Sequence, residues 1–599
     1  MQGTACSGRP EFAPCNSPRV GAASPPRRYG GDAGSLHLQE LYTEKTKMSE
    51  MDRRTFLRSA AGSAAAMAFP SVLSAAGNDG GRPNIVIIMT DDMGFSDLGC
   101  YGGDIRTPHI DGLAQRGLRF THFYNAARCC PTRASLMTGA YQHKVGLKRN
   151  GRSLRRNCVT VAEALGAEGY QTAMAGKWHL SKTPRLKPPE RHQKWIDHRI
   201  QLDRPFGPLH TYPVNRGFDR HYGVIWGVVD YFDPFSLVEG TEPVPNVPED
   251  YYITDAITEH SVRYIREMAQ KDEPFFLYTA HCAPHWPLHA RQEDIERYRG
   301  KFTEGWHALR RRRYERQVEM GLIDPDTHPL PDLMGHGEDW PELSDDEKAF
   351  QAARMQAHAA MVDRVDQGVG RIVAALKQAR CYENTVIFVL SDNGASPEEP
   401  SDWGPGYDRS SQTRDGRKIH YHGLTPPGPE TTYRGVGPYW ANAANTPFRY
   451  WKKESFEGGA HTPFIVHWPH GLRTQPGTCT DQMGHVMDVM PTCLDLAGAK
   501  YPERFKGHAI TSLDGKSLLP ILKDKKRDGH DMLFFEHVGG KAVVDGEWKL
   551  VQPTRGKRWR LYHLATDRTE TRDLADKHPE RVRKMKRSWH EWAARVRAE

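Results

Sequence analysis

The strongest constraint on this chain is a set of short apolar runs with no polar residue inside them. Asn84 to Met89 reads Asn-Ile-Val-Ile-Ile-Met, and Phe275 to Thr279, Thr385 to Leu390 and Pro463 to His467 are further short apolar runs. A strand with one wet face alternates apolar and polar residues. A run without alternation, too short for a helix, buries both faces, as strands of parallel sheets do. Helical patterns lie between the runs: Pro108 to Gln115 closed by Gly117, Val161 to Ala167 followed by a strand at Tyr170 to Ala175, and Phe350 to Ala379. Strands alternating with helices predict an α/β fold whose sheet is mainly parallel and covered on both faces.

The pattern changes after about Asp524. Met532 to Phe535, Ala542 to Val544, Trp548 to Gln552 and Trp559 to His563 read as short strands with close turns, and Glu580 to Arg597 as a basic amphipathic helix. The expected division is a large body over 77–524 and a small α+β domain over 525–599, an antiparallel sheet with a terminal helix. Two polar stretches interrupt the body, Arg291 to Lys348 and Ser396 to Asn445. Both read as surface insertions. The second lies between two candidate site segments and is expected to form part of a pocket rim.

Residues 1–47 are rich in Gly, Pro, Ser and Arg without periodicity. They read as a disordered extension or as sequence outside the working protein, because Met48 and Met51 are alternative starts. Over 48–76, Asp52-Arg53-Arg54-Thr55-Phe56-Leu57-Arg58 precedes an Ala-rich run and Ser74-Ala75-Ala76. This resembles a twin-arginine signal peptide and implies export to the periplasm or beyond. No stretch reaches about 18 uninterrupted apolar residues, so no spanning helix and no stable membrane insertion are expected. Ten scattered cysteines form no Cys-x-x-Cys unit, which argues against a zinc site. Cys479 and Cys493 could form a disulfide, but buried free thiols are the preferred reading. The formal charge of +8 is modest for 599 residues. It suits anionic substrates and is no nucleic-acid footprint.

Chemistry concentrates in a few segments. In Arg128-Cys129-Cys130-Pro131-Thr132-Arg133-Ala134-Ser135-Leu136-Met137-Thr138-Gly139, Pro131 suits a first helical turn and Gly139 a helix stop. Cys129 is thus expected just before a helix N-terminus, where free N–H groups favour negative charge, with Arg133 one turn on along the same face. Asp91 and Asp92 follow the first apolar run, and Asp392 and Asn393 follow another. Open α/β sheets place their sites at these carboxyl ends. Three carboxylates and an amide oxygen suit a hard cation, calcium or magnesium. Either pair alone also suits a turn or a helix cap.

The Cys129-x-Pro131-x-Arg133 pattern with Thr138-Gly139 resembles the sulfatase motif. Gly169-Tyr170-Gln171-Thr172-Ala173-Met174-Ala175-Gly176-Lys177-Trp178-His179 matches that family's second motif. Ala280 to Pro287, Asn445 to Gly459 and Asp514 to Pro520 also read as family sequence, in the family's order. By this resemblance the chain is identified as a type I sulfatase, closest in form to bacterial arylsulfatases. The resemblance implies the alkaline phosphatase superfamily fold, a sandwich with a mixed, mainly parallel central sheet. It implies oxidation of Cys129 to formylglycine, the nucleophile, by a formylglycine-generating enzyme. It implies one calcium ion, in preference to magnesium, on Asp91, Asp92, Asp392, Asn393 and residue 129. Arg133, Lys177 and Lys452 would bind sulfate oxygens, with Lys453 as a neighbouring candidate for Lys452. His179 would assist the release of sulfate, and His285 would face the departing alcohol, with His281 as the other claimant. His461 stands where many relatives carry a basic residue after Glu-Gly-Gly. The implied substrate is a sulfated small molecule or glycan, aryl or carbohydrate. The alternative is a phosphonate or phosphate ester hydrolase with the same nucleophile.

Overall fold

Both faces of the first strand are buried, and its side chains divide between two cores. Val86 and Ile88 enter one; Ile85, Ile87 and Met89 enter the other. The computed structural model describes residues 81–598, so the readings of 1–47 and of the signal peptide lie outside the described residues. Among the described residues the central sheet has ten strands. They are β1 (Asn84–Thr90), β2 (Leu118–Phe120), β3 (Gln171–Gly176), β4 (Arg220–Val224), β5 (Leu237–Glu239), β6 (Glu242–Pro243), β7 (Phe275–Ala280), β8 (Thr385–Ser391), β9 (Phe464–His467) and β10 (Cys479–Thr480). Their spatial order is β10-β2-β9-β8-β1-β7-β3-β4-β5-β6. The five strands from β8 to β4 are mutually parallel, and β9, β5 and β6 pair antiparallel with their neighbours. The fold is the mixed, mainly parallel sandwich that the unbroken apolar runs require.

The helices that flank this sheet or close the C-terminal sheet include α1 (Pro108–Gln115), α2 (Cys129–Thr138), α3 (Val161–Ala167), α4 (Ile253–Met268), α5 (Gly305–Glu319), α6 (Asp345–Gln378), α7 (Val489–Ala497) and α8 (Pro579–Ala598). Helices α1, α4 and α6 cover one face through Ile110, Ile257 and Val365. Helices α2, α3 and α7 cover the other through Met137, Leu165 and Met490. Helix α6 starts at Asp345, five residues before the expected Phe350, because Ser344 caps it. The Ser344 amide donates to the Glu347 carboxylate at 2.8 Å, and the Glu347 amide donates back to Ser344 Oγ at 3.4 Å. Such a box contributes about 1 kcal/mol.

The stretch from Arg291 to Lys348 is more than a surface insertion. Its helix α5 buries Trp306 and Leu309 in the core. Arg313, whose side chain has no solvent exposure, lies 2.9 Å from Asp97 and 3.0 Å from Asp104. The polar composition there records buried ion pairs. Cys479 and Cys493 are both free; Cys493 is buried and Cys479 exposed. No helix among the described residues is long and apolar enough to cross a membrane.

The C-terminal strands β11 (Leu533–His537), β12 (Gly540–Asp545), β13 (Trp548–Gln552) and β14 (Arg560–His563) form an antiparallel meander. Helix α8 closes it with Trp589 and Trp592, in a core shared with Tyr124, Phe456 and Ala460 of the body. A buried charge cluster joins the two. Lys549 Nζ lies 2.7 Å from Glu457 Oε1 and 2.9 Å from Glu570 Oε1. Tyr124 OH donates to Glu457 at 2.9 Å.

Candidate active site

Strands β1 and β8 are parallel neighbours in register to their last residues, Thr90 opposite Ser391. Asp91 and Asp92 therefore leave the sheet beside Asp392 and Asn393, and all four are buried. Asp92 holds a left-handed backbone, φ 69°, which is strained for a residue with a Cβ. The turn is held from the other strand. The Asp92 amide donates to Asp392 Oδ1 at 3.3 Å, and Asn393 Nδ2 donates to Asp92 Oδ1 at 2.6 Å.

Helix α2 brings the cysteine to this edge. Arg128 is its extended N-cap, and Cys129 is its first helical residue, one step inside the expected start. Gly139 ends the helix at φ 64°, as expected of that residue type. Arg133, one turn after Cys129, is fully buried. Its Nε donates to Asp392 Oδ2 at 2.9 Å and its Nη1 to the Lys177 carbonyl at 2.9 Å. Lys177, just after β3, ion-pairs through Nζ with Asp91 Oδ2. Lys452 Nζ lies 2.7 Å from Asp92 Oδ2 and 3.2 Å from Glu398 Oε2. Ligand atoms of Asp91, Cys129 and Asp392 fall within 4.8 Å of one another, as do those of Asp91, Asp92 and His285. Six elements or loops thus converge on one spot.

The histidines separate by position. His285 Nδ1 is 2.6 Å from the Trp286 carbonyl, and Nε2 is 3.4 Å from Asp92 Oδ2. Nδ1 is hydrogen-bonded to that carbonyl, while Nε2 faces the carboxylate without a hydrogen bond. Burial pushes His285 down to about 4 against the pull of Asp92. His179 lines the same cleft, with φ 57°. Burial, then Lys177 and Arg133, hold it well below the usual histidine value, so it is a neutral base. His281 is fully buried with both ring nitrogens unpartnered, outside the cleft lining. His461 is packed between Phe95 and Phe448, with ring centroids 4.8 and 4.6 Å away. Of the two adjacent lysines, Lys452 is buried in the carboxylate cluster and Lys453 stands at the cleft wall.

The donor set fits a hard divalent cation. Asp91 Oδ1 and Asn393 Oδ1 are buried without a hydrogen bond, an expensive arrangement for oxygens that bind nothing. Burial, and then the nearby Asp392, push Asp91 up to about 6. A cation among these oxygens would reverse both effects. Burial alone would raise Asp92 also, but His285 and Lys452 hold it at about 2. Burial raises the Cys129 thiol against Lys177 and Lys452, so an unmodified thiol here is a poor nucleophile.

A cleft of about 400 Å³ opens above Cys129. Its walls add groups that sequence reasoning missed. Glu398, 7 % exposed, takes an ion pair from Arg128 Nη1 at 2.9 Å and from Lys453 Nζ at 2.5 Å. Burial would raise Glu398, but Arg128, Lys452 and Lys453 outweigh it and hold it well below the carboxylate range. Asn150 Nδ2 reaches Cys129 Sγ at 3.9 Å. Trp403, 46 % exposed, forms an aromatic wall beside Trp286, ring centroids 6.0 Å apart. Glu398, Trp403 and Tyr407 come from the polar stretch after Ser396, which supplies part of the rim. Around Cys129, the cations of Arg128, Arg133, Lys177, Lys452 and Lys453 face the carboxylates of Asp91, Asp92, Asp392 and Glu398. A divalent cation would leave the spot clearly positive, as a tetrahedral oxyanion requires.

The chain is similar to known proteins along most of its length. The family model described as Sulfatase matches residues 83–499, and one described as N-sulphoglucosamine sulphohydrolase, C-terminal, matches 448–595. An uncharacterized sulfatase of Schizosaccharomyces pombe is 30% identical over 557 residues, covering 85% of this chain and 93% of the relative. An arylsulfatase of Klebsiella aerogenes is 31% identical over 461 residues, covering 74% and 93%. The crystal structure of Ps i-CgsB superposes with a TM-score of 0.59 at 25% identity, covering 86% of this chain and 93% of that one. The same protein has been solved in complex with k-i-k-neocarrahexaose.

Proposed function

Because this chain belongs to the sulfatase family and hydrolyses sulfate esters, we propose that Cys129, converted to formylglycine, is its nucleophile beside one calcium ion. The observation that carries this reading is the buried cluster of Cys129 with Asp91 and Asp392, ligand atoms within 4.8 Å of one another, with Cys129 lining the cleft. The formylglycine would supply a hydrated aldehyde whose hydroxyl attacks sulfur, and the cation positive charge beside the sulfate oxygens.

Asp91, Asp92, Asp392 and Asn393 would hold the cation, with residue 129 as a further ligand. Arg133, Lys177 and Lys452 orient the sulfate and neutralise its oxygens as charge shifts. Asp392 helps ionise the attacking hydroxyl. His285, with Lys452, serves the departing alcohol oxygen as proton donor; its place in the cleft lining beside Cys129 supports that role. His179, kept neutral by burial and by Lys177, takes the proton that lets sulfate leave.

Matched aryl esters test the reading. The mature enzyme is expected to turn over 4-nitrophenyl sulfate with a kcat/KM well above that for 4-nitrophenyl phosphate or a phenyl phosphonate. The reverse order would make it a phosphate or phosphonate ester hydrolase with the same nucleophile. We also propose twin-arginine export, from the Arg53-Arg54 motif. Arg53→Lys with Arg54→Lys should leave active enzyme in the cytoplasm, and normal export of that variant would defeat the proposal.

A further inference from the structure

The active-site cleft does not end above Cys129. A second cavity of about 830 Å³ adjoins it, and the two share Asn150, Thr183, Arg185 and Tyr407 as wall. Five basic side chains line the second cavity, Arg149, Arg152, Lys182, Arg185 and Arg204, and no acidic one does. Among the described residues none of the five is paired with a carboxylate. Arg185 stacks over the Tyr407 ring at 4.1 Å and Arg204 over Trp195 at 5.7 Å, contacts that leave their charge unneutralised. Scattered surface lysines and arginines usually mark a solvated face. These five are exposed to water, and gathered around one concavity they focus a positive field into it, which favours the entry of an anion.

One loop ties the two cavities together. Within Arg149-Asn150-Gly151-Arg152, Asn150 turns to Cys129 Sγ at 3.9 Å while Arg149 and Arg152 line the second cavity. A ligand spanning both would thus be read by adjacent residues of one loop. The first cavity has its own aromatic wall, Trp403 and Trp286, for a simple aryl group.

We propose that the cationic cavity is an anion subsite, and that the preferred substrate is a sulfated oligosaccharide with a second sulfate or carboxylate seated there. This rests on the sulfate ester reading. While one sulfate is cleaved at residue 129, the second anion is held by Arg149, Arg152 and Lys182 and is not cleaved.

The test compares five esters: 4-nitrophenyl sulfate, and carrageenan- and chondroitin-type disaccharides each prepared with one sulfate and with two. The wild type should favour at least one doubly sulfated disaccharide over its singly sulfated partner by tenfold or more in kcat/KM, mainly through KM. That advantage should shrink as salt rises. Arg149→Ala with Arg152→Ala should remove the advantage and leave 4-nitrophenyl sulfate within about twofold of wild type. Binding of the same disaccharides to Cys129→Ala by calorimetry, with and without the double substitution, reads the subsite without turnover. No preference for the second anion in either measurement, or equal losses on all five esters, would overturn the proposal. Failure to cleave any sulfate ester, with selective binding intact, would instead count against the activity.

Discussion

Lys452 Nζ lies 2.7 Å from Asp92 Oδ2, 360 residues away in the chain, and this contact links the last candidate site segment to the first. Lys452 is fully buried, while its neighbour Lys453 has the left-handed φ of 82° and turns to Glu398 at the cleft wall. The backbone kink at Lys453 thus gives two adjacent lysines different tasks. Lys452→Ala should lower kcat by roughly 10²–10³-fold, the usual scale for one oxyanion-stabilising group. Lys453→Ala should cost less than about tenfold and act mainly on KM. Steady-state kinetics of the two variants with 4-nitrophenyl sulfate would show the assignment reversed if Lys453 were the more damaging.

Asp392 serves both Arg133 and the expected cation, so a mild substitution separates charge from shape. Asp392→Asn should bind less than half the calcium of wild type by elemental analysis and lose turnover by at least about 10²-fold. Chelation of the wild type should abolish activity, and added calcium should restore it. A chelated enzyme with full activity would remove the metal from the mechanism.

Gly227 gives His179 its room. A Cβ at position 227 would stand 2.3 Å from the His179 ring. Gly227→Ala should therefore displace the ring and reduce kcat by roughly tenfold or more, at a stability cost of about 1–3 kcal/mol. Normal kcat with a lowered melting temperature would mean that His179 is packed there without taking part.

The charge cluster under the C-terminal sheet predicts a pH effect. Burial and the neighbouring Glu457 raise the Glu570 carboxyl, to about 7. The native state then keeps a proton that the unfolded chain releases above about pH 4.5. Stability from this group is full below that pH and falls as pH rises toward the folded value, by at most about 1.4 kcal/mol per pH unit. Glu570→Gln should flatten that fall. Denaturant midpoints between pH 5 and 8 check it, and parallel curves for wild type and variant would contradict it.

Much of this was legible in sequence because the signals were local. Asn84 to Met89 needed both faces covered, and it has them. Pro131 and Gly139 framed α2 to within a residue. The capping box Ser344-x-x-Glu347 was legible too, though the apolar periodicity after it drew the helix start five residues late. Glu398 and Asn150 gave no such signal. Each acts through contacts hundreds or tens of residues away, Glu398 with Arg128 and Asn150 with Cys129, which only the register of β1 against β8 and the start of α2 bring about. Arg313 misled by its charge, since a polar stretch reads as surface unless its counter-ions, Asp97 and Asp104, are known to lie beneath it.

The central claim is that residue 129 is the nucleophile after oxidation. Peptide mass spectrometry of protein made with and without a formylglycine-generating enzyme, run beside 4-nitrophenyl sulfate turnover, tests it most directly. The expected result is CHO in place of CH2–SH at Cys129, none at Cys130, and activity proportional to the converted fraction. Full turnover by protein with unmodified Cys129, or conversion confined to Cys130, would contradict it.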